Sequence, residues 1–205
     1  MKLSAFMIFA VLCLPACSEQ DQSTGSVPAR APTAVPVSID DLVAATNYLP
    51  VDANLHFLII GNMDSDKLHA QIAASHYSER IHLAGYRNDA PAVVASCDAM
   101  CLPSKKREGL PRSVIEAMSY GVAPIVTDTG GSKELVVDGK SGLVVESGNP
   151  KSIAAGIIRL YDDRELCERM GKSARERIAN SFRIETTIDK TLELYESLLE
   201  DGRSS

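Results

Sequence analysis

From residue 39 onward, short apolar runs alternate with stretches in which apolar residues recur every three or four positions. The runs at 55–60 (LHFLII), 80–84 (RIHLA), 99–102 (AMCL), 123–127 (APIVT) and 142–145 (GLVV) are short and mostly continuous, as strands buried on both faces require. Between them, residues 39–48, 65–75 and 90–97 carry helical spacing, with Ser38 placed to cap the first. Pro111 suits a first helical position, and Val114, Ile115, Ala117 and Met118 form an apolar stripe that stops at Gly121. Residues 131–136 read as a helical turn, and three helices follow at 151–161, 164–180 and 184–199. Strands alternating with helices predict an α/β fold, a single Rossmann-like domain whose parallel sheet is covered on both faces. Ligand is then expected at the carboxyl ends of the strands.

The amino terminus follows another pattern. Lys2 precedes an apolar stretch from Leu3 to Leu14, followed by Pro15-Ala16-Cys17-Ser18. That order is characteristic of a secretory signal peptide, and the apolar run is short for a bilayer span. Leu14-Pro15-Ala16-Cys17 resembles a lipobox, which implies cleavage before Cys17, lipidation of its thiol and membrane attachment through that lipid. Residues 18–36 are rich in Ser, Thr, Pro, Ala and Gln without periodicity and read as a flexible tether. The expected organisation is a lipoprotein-like signal at 1–16, a tether at 17–38 and one folded domain at 39–205. Used as a signal, it makes the protein a membrane-anchored lipoprotein; unused, it leaves a cytoplasmic one.

Composition narrows the function classes. With 205 residues and 45% apolar content the chain can bury one sizeable core. A net charge of -6 argues against nucleic acid and against a broad basic membrane-binding surface. The basic run Lys105 to Arg107 reads as a solvated loop, although it is also placed to meet phosphates. Cys97, Cys101 and Cys167 are an odd set inside core elements, hence buried free thiols suited to a reducing compartment, which conflicts with export. The four histidines share no metal-ligand spacing, so neither metal nor cofactor is expected.

The candidate chemistry lies between the strand at 99–102 and the helix that begins at Pro111. Glu108-Gly109-Leu110-Pro111 opens the helix and Glu116 lies about one and a half turns inside it. Amides at a helix start favour an anion such as phosphate. Two carboxylates beside a phosphate need other partners, and sugar hydroxyls donate to carboxylates. The combination suits a nucleotide sugar. The alternative pairs Glu116 with Arg112 at i,i+4 and leaves Glu108 in the solvated basic loop. Thr129-Gly130-Gly131 follows the strand at 123–127 and could bring backbone amides close to a ligand or merely turn the chain.

This segment, E-x7-E at Glu108 and Glu116, resembles the donor-binding signature of family 4 glycosyltransferases, retaining enzymes of the GT-B fold. LHFLIIG, RIHLAGY, DAMCLPS, APIVTDTGGSKE and DGKSGLVV occur in the family's order. The resemblance implies the carboxyl-terminal, donor-binding half of that fold. It also implies transfer of a hexosyl group from a nucleotide sugar to a hydroxyl acceptor. Glu108 would face the donor sugar as the catalytic carboxylate and Glu116 would hold the ribose. Gly109 and Leu110 would approach the sugar or diphosphate, with Pro111 beside them. Gly85 and Tyr86 would pack the base, and Gly130 and Gly131 would line the cleft.

Two parts of the family pattern are missing. Its Arg and Lys for the donor diphosphate align with Pro32 and Val37, and the acceptor-binding domain is not recognisable. Little or no activity is therefore expected of the chain alone, with an acceptor-domain protein as a possible partner. The family's first central strand would fall before residue 31, where Thr24-Gly25-Ser26-Val27-Pro28 is a poor strand. The expectation is a sheet whose first central strand is missing or replaced, with the apolar segment 6–12 as a substitute if it is retained. A lipid-anchored binding or interaction protein without chemistry is the alternative function.

Overall fold

A computed structural model of the protein describes residues 6–11, 38–61, 65–106 and 109–203. Six parallel strands form one sheet: β1 (Phe6–Val11), β2 (Leu55–Ile60), β3 (Ile81–Leu83), β4 (Ala99–Leu102), β5 (Ala123–Thr127) and β6 (Leu143–Val145), in the order β3-β2-β1-β4-β5-β6. The helices between them are α1 (Ile39–Ala45), α2 (Asp66–Ala73), α3 (Ala90–Val94), α4 (Arg112–Ser119) and α5 (Ser132–Leu135). After the sheet come α6 (Pro150–Asp162), α7 (Arg164–Ser181) and α8 (Ile184–Arg203). The strand order reverses direction after β3, so right-handed crossovers put α1 and α2 on one face and α4 and α5 on the other. α6 packs on α1, and α7 packs on α4 and β5.

The absent central strand is replaced. β1 lies between β2 and β4, paired with Leu55 to Ile60 on one side and Ala99 to Cys101 on the other. Phe6 and Ile8 are fully buried, as a continuous apolar strand in a doubly covered sheet requires. Several contacts anchor the start of this strand. The Phe6 amide donates to the Asn54 carbonyl at 2.9 Å, and Tyr161 meets the Phe6 ring edge-on at 5.8 Å. The Met7 amide donates to Asp98 Oδ2 at 2.6 Å, while the Asp98 amide donates to the Met7 carbonyl at 3.0 Å. Arg164 stacks its guanidinium 4.4 Å from the Phe6 ring centre. Its Nη1 also lies 3.0 Å from Asp98 Oδ1, without hydrogen-bond alignment, so this contact is an ion pair.

Residues 6–11 thus belong to the stretch that reads as the apolar core of a signal sequence. The two uses exclude each other, because a chain that loses these residues loses the middle of its sheet. The rest of the proposed signal, Cys17 and nearly all of the tether lie outside the described residues.

Most other elements sit where the apolar pattern puts them. The helix expected at 39–48 is α-helical to Ala45 and closes with a 3-10 turn at Thr46–Tyr48. The helix of 90–97 shortens to Ala90–Val94. Ser65 caps α2, accepting from the Leu68 amide at 3.2 Å, and Asn149 caps α6 through the amides of Lys151 and Ser152. The three core-element cysteines are free thiols, Cys101 and Cys167 buried and Cys97 partly so. Burial pushes Cys101 and Cys167 up to about 12 and Cys97 to about 11.

Candidate functional site

Two loops meet at the carboxyl ends of β4 and β5. Thr127, the last residue of β5, ties them together. Its hydroxyl donates to the Ser104 carbonyl at 2.7 Å and accepts the Ser104 amide at 2.9 Å, all of it buried. Ser147, beyond β6, donates to the same carbonyl at 2.9 Å. Further out the loops touch through glycines. A Cβ on Gly131 would sit 2.5 Å from the Gly109 carbonyl oxygen and 3.2 Å from Leu110 Cδ2, so only glycine permits this approach. Gly130 beside it adopts φ +52°, the left-handed conformation that glycine takes without strain.

Between the loops lies an open cavity of about 700 Å³. Lys105, Gly109 and Leu110 line it from the loop after β4; Asp128, Thr129, Gly130 and Gly131 line it from the loop after β5, and Lys133 and Glu134 from α5. This is the position at which an open α/β sheet binds its ligands. The two lysines are each held by a carboxylate. Lys105 Nζ lies 2.9 Å from Asp41 Oδ1, in the first turn of α1, and the Asp41 side chain is only 11% exposed. Lys133 Nζ stands a looser 3.7 Å from Asp128 Oδ2. Asp128 is itself fixed, its Oδ1 accepting the Ser147 amide at 3.1 Å.

Of the residues singled out in the sequence, Gly109, Leu110, Gly130 and Gly131 come together around this cavity. Pro111 stands one step away as the N-cap of α4. Glu116 is not among the lining residues; it accepts from Arg112 Nε at 2.9 Å, the i,i+4 pair that the spacing allowed. Gly85 and Tyr86 also lie outside the lining. Gly85 takes φ +61° and accepts the Gly61 amide at 2.8 Å, and Tyr86 is half exposed beyond β3. Glu108 lies outside the described residues. Sequence reasoning passed over Lys133, Asp128, Glu134 and the link from Lys105 to Asp41. Lys133 stands two residues beyond the glycine pair, and that proximity was the available signal; nothing local marks Asp41 as a partner of residue 105.

The Glycosyl transferases group 1 family matches residues 37–177, more than half of the chain. The chain belongs to this family. A UDP-Gal:alpha-D-GlcNAc-diphosphoundecaprenol alpha-1,3-galactosyltransferase of Escherichia coli is 32% identical over 68% of this chain and 36% of its own length. The N-acetyl-alpha-D-glucosaminyl L-malate synthase of Bacillus anthracis is 28% identical over 81% of this chain and 44% of its own length. The chain thus spans less than half the length of either curated relative. Among solved structures, Anabaena HepE in complex with UDP and glucose superposes with a TM-score of 0.76 at 21% identity, covering 94% of this chain and 48% of HepE. The C-terminal domain of a glycosyl transferase group 1 protein from Francisella tularensis gives a TM-score of 0.69 at 17% identity, with 87% of each chain covered. This group 1 glycosyltransferase domain therefore has the fold of the carboxyl-terminal half of a GT-B enzyme, and residues 6–11 complete it.

Proposed function

We propose that the chain is the donor-binding half of a retaining glycosyltransferase, holding a nucleotide sugar from which a hexosyl group passes to a hydroxyl acceptor. The observation that carries this reading is the cavity formed where Gly109 meets Gly131, at the strand ends where this fold binds ligands. The structural likeness to a protein solved with UDP and glucose agrees with it. Gly109, Leu110, Gly130 and Gly131 form the walls against the sugar diphosphate. Glu108 faces the sugar, and Glu116, released from Arg112, takes ribose hydroxyls. Gly85 and Tyr86 flank the base.

Transfer requires an acceptor-binding half, which we assign to a partner protein. α8 supports such a partner, since Ile188, Leu192, Leu194, Tyr195 and Leu198 are all at least half exposed along it. Titration calorimetry of the purified chain with UDP-glucose, GDP-mannose and ADP-glucose tests the donor assignment. Saturable binding of at least one, with no turnover until an acceptor-binding half is added, is the expected result. Failure of all three to bind overturns it.

A further inference from the structure

A nucleotide sugar brings two negatively charged phosphates into the cavity, and the carboxylates of Asp128 and Glu134 stand on its wall. Some cation has to offset both, and the Arg and Lys that the family resemblance implies for this task fall, counted back from α1, on Pro32 and Val37. Resting on the donor reading above, we propose that Lys105 and Lys133 together hold the donor diphosphate. Lys105 stands on the loop after β4 and Lys133 in α5, just past Gly131, so they face one cavity from both of its walls.

Each ammonium is positioned but not used up. Lys105 is tethered by a nearly buried carboxylate, Asp41, that is itself fixed on α1, while its own side chain is 47% exposed. An ammonium has three donor hydrogens, so an ion pair with Asp41 on one side leaves donor capacity for an anion in the cavity. Lys133 is 58% exposed, and its 3.7 Å separation from Asp128 leaves the head free to swing toward a stronger anion. Asp128 loses little by this, because the Ser147 amide still bonds it. In the leaving step the bond between the sugar and the terminal phosphate oxygen breaks, and the negative charge on that oxygen grows. Once the diphosphate is bound and Lys133 has turned to it, the two lysines stabilise that growing charge. Lys105 and Lys133 therefore act on the leaving group, and Asp41 and Asp128 act as positioning residues.

Binding of UDP, ADP and GDP, each against its monophosphate, tests this in the full chain and in the variants Lys105→Ala and Lys133→Ala. Each variant is expected to weaken the preferred diphosphate about tenfold while its monophosphate changes much less. The salt dependence of diphosphate binding should flatten in parallel. Because Lys105→Ala leaves Asp41 unpaired, the double variant Lys105→Ala, Asp41→Asn serves as the control for folding and must show the same tenfold loss. Tight diphosphate binding that neither lysine affects overturns the inference and leaves the donor reading intact. If wild-type protein binds no nucleoside diphosphate, both fall.

Discussion

The Asp98 carboxylate accepts the Met7 amide at 2.6 Å while the Asp98 amide donates to the Met7 carbonyl at 3.0 Å, so one residue holds both backbone polar groups of another 91 positions away. The same carboxylate pairs with Arg164, whose guanidinium stacks on Phe6. Strand β1 is thereby fixed at its entry, below β4, from a residue that otherwise only precedes a strand. Asp98→Ala removes the acceptor and leaves Arg164 without its ion pair. A loss of about 1–3 kcal/mol is expected, discounted for partial exposure, and urea midpoints should show it with an unchanged slope.

Gly131→Ala and Gly109→Ala should behave differently although the two residues touch. A Cβ on Gly131 meets the Gly109 backbone at 2.5 Å, whereas a Cβ on Gly109 meets nothing within 4 Å. The φ of Gly131, -73°, suits alanine, so any effect of that change is the clash alone. Gly131→Ala is expected to push the loops apart, costing about 1–3 kcal/mol and at least about tenfold in donor affinity. Gly109→Ala should change stability by less than about 0.5 kcal/mol. Paired thermal melts and donor titrations check both, and equal effects would contradict the geometry.

Ile8 probes whether the folded protein keeps its amino-terminal strand. It is fully buried, and Ile8→Ala should cost about 2–5 kcal/mol. Ile8→Asp buries a carboxylate without a partner, which exceeds what a marginally stable domain tolerates. Circular dichroism should show native helix content for the first and its loss for the second. Intact mass of folded, donor-binding protein should include residues 6–11. Binding by a form that lacks them would rule out their role as a strand.

The buried thiols give the fold an alkaline limit. An unfolded cysteine ionises near 9, whereas Cys101 and Cys167 in the folded protein hold their protons to about 12. A group whose pKa is raised by folding stabilises the fold below the unfolded value. That contribution is then lost as pH climbs toward the folded one. Stability should therefore begin to fall above about pH 9, by at most about 1.4 kcal/mol per pH unit for each thiol. Urea midpoints between pH 8 and 10.5 should fall less steeply for Cys101→Val than for the parent protein.

Much of this was legible in the sequence, for identifiable reasons. Strands β2 and β4 are bounded by Asn54, Gly61, Asp98 and Pro103, residues poor in strands, and the continuous apolar character of β2, β4 and β5 marks burial on both faces. Residues 6–11 admitted two readings because a signal-sequence core and a central parallel strand have the same composition and no periodicity to separate them. The decisive partner, Asp98, is distant in sequence and ordinary in type. At the site, the glycine loops could be named because turn residues announce themselves locally. The contact between them, and the pairing of Lys105 with Asp41, depend on how β4 and α1 lie in space. Glu116 shows the reverse case: helical spacing alone identifies its partner, Arg112.

The central position of β1 also sets an order of events during synthesis. β1 leaves the ribosome first, but its neighbours β2 and β4 follow only at Leu55–Ile60 and Ala99–Leu102. At about 5–20 residues per second, β4 is complete roughly 5–20 s after β1. Throughout that interval the six consecutive apolar residues FMIFAV lack a partner strand on at least one edge. Any factor that binds nascent apolar segments competes with the fold for them, and the competition ends only when β4 arrives.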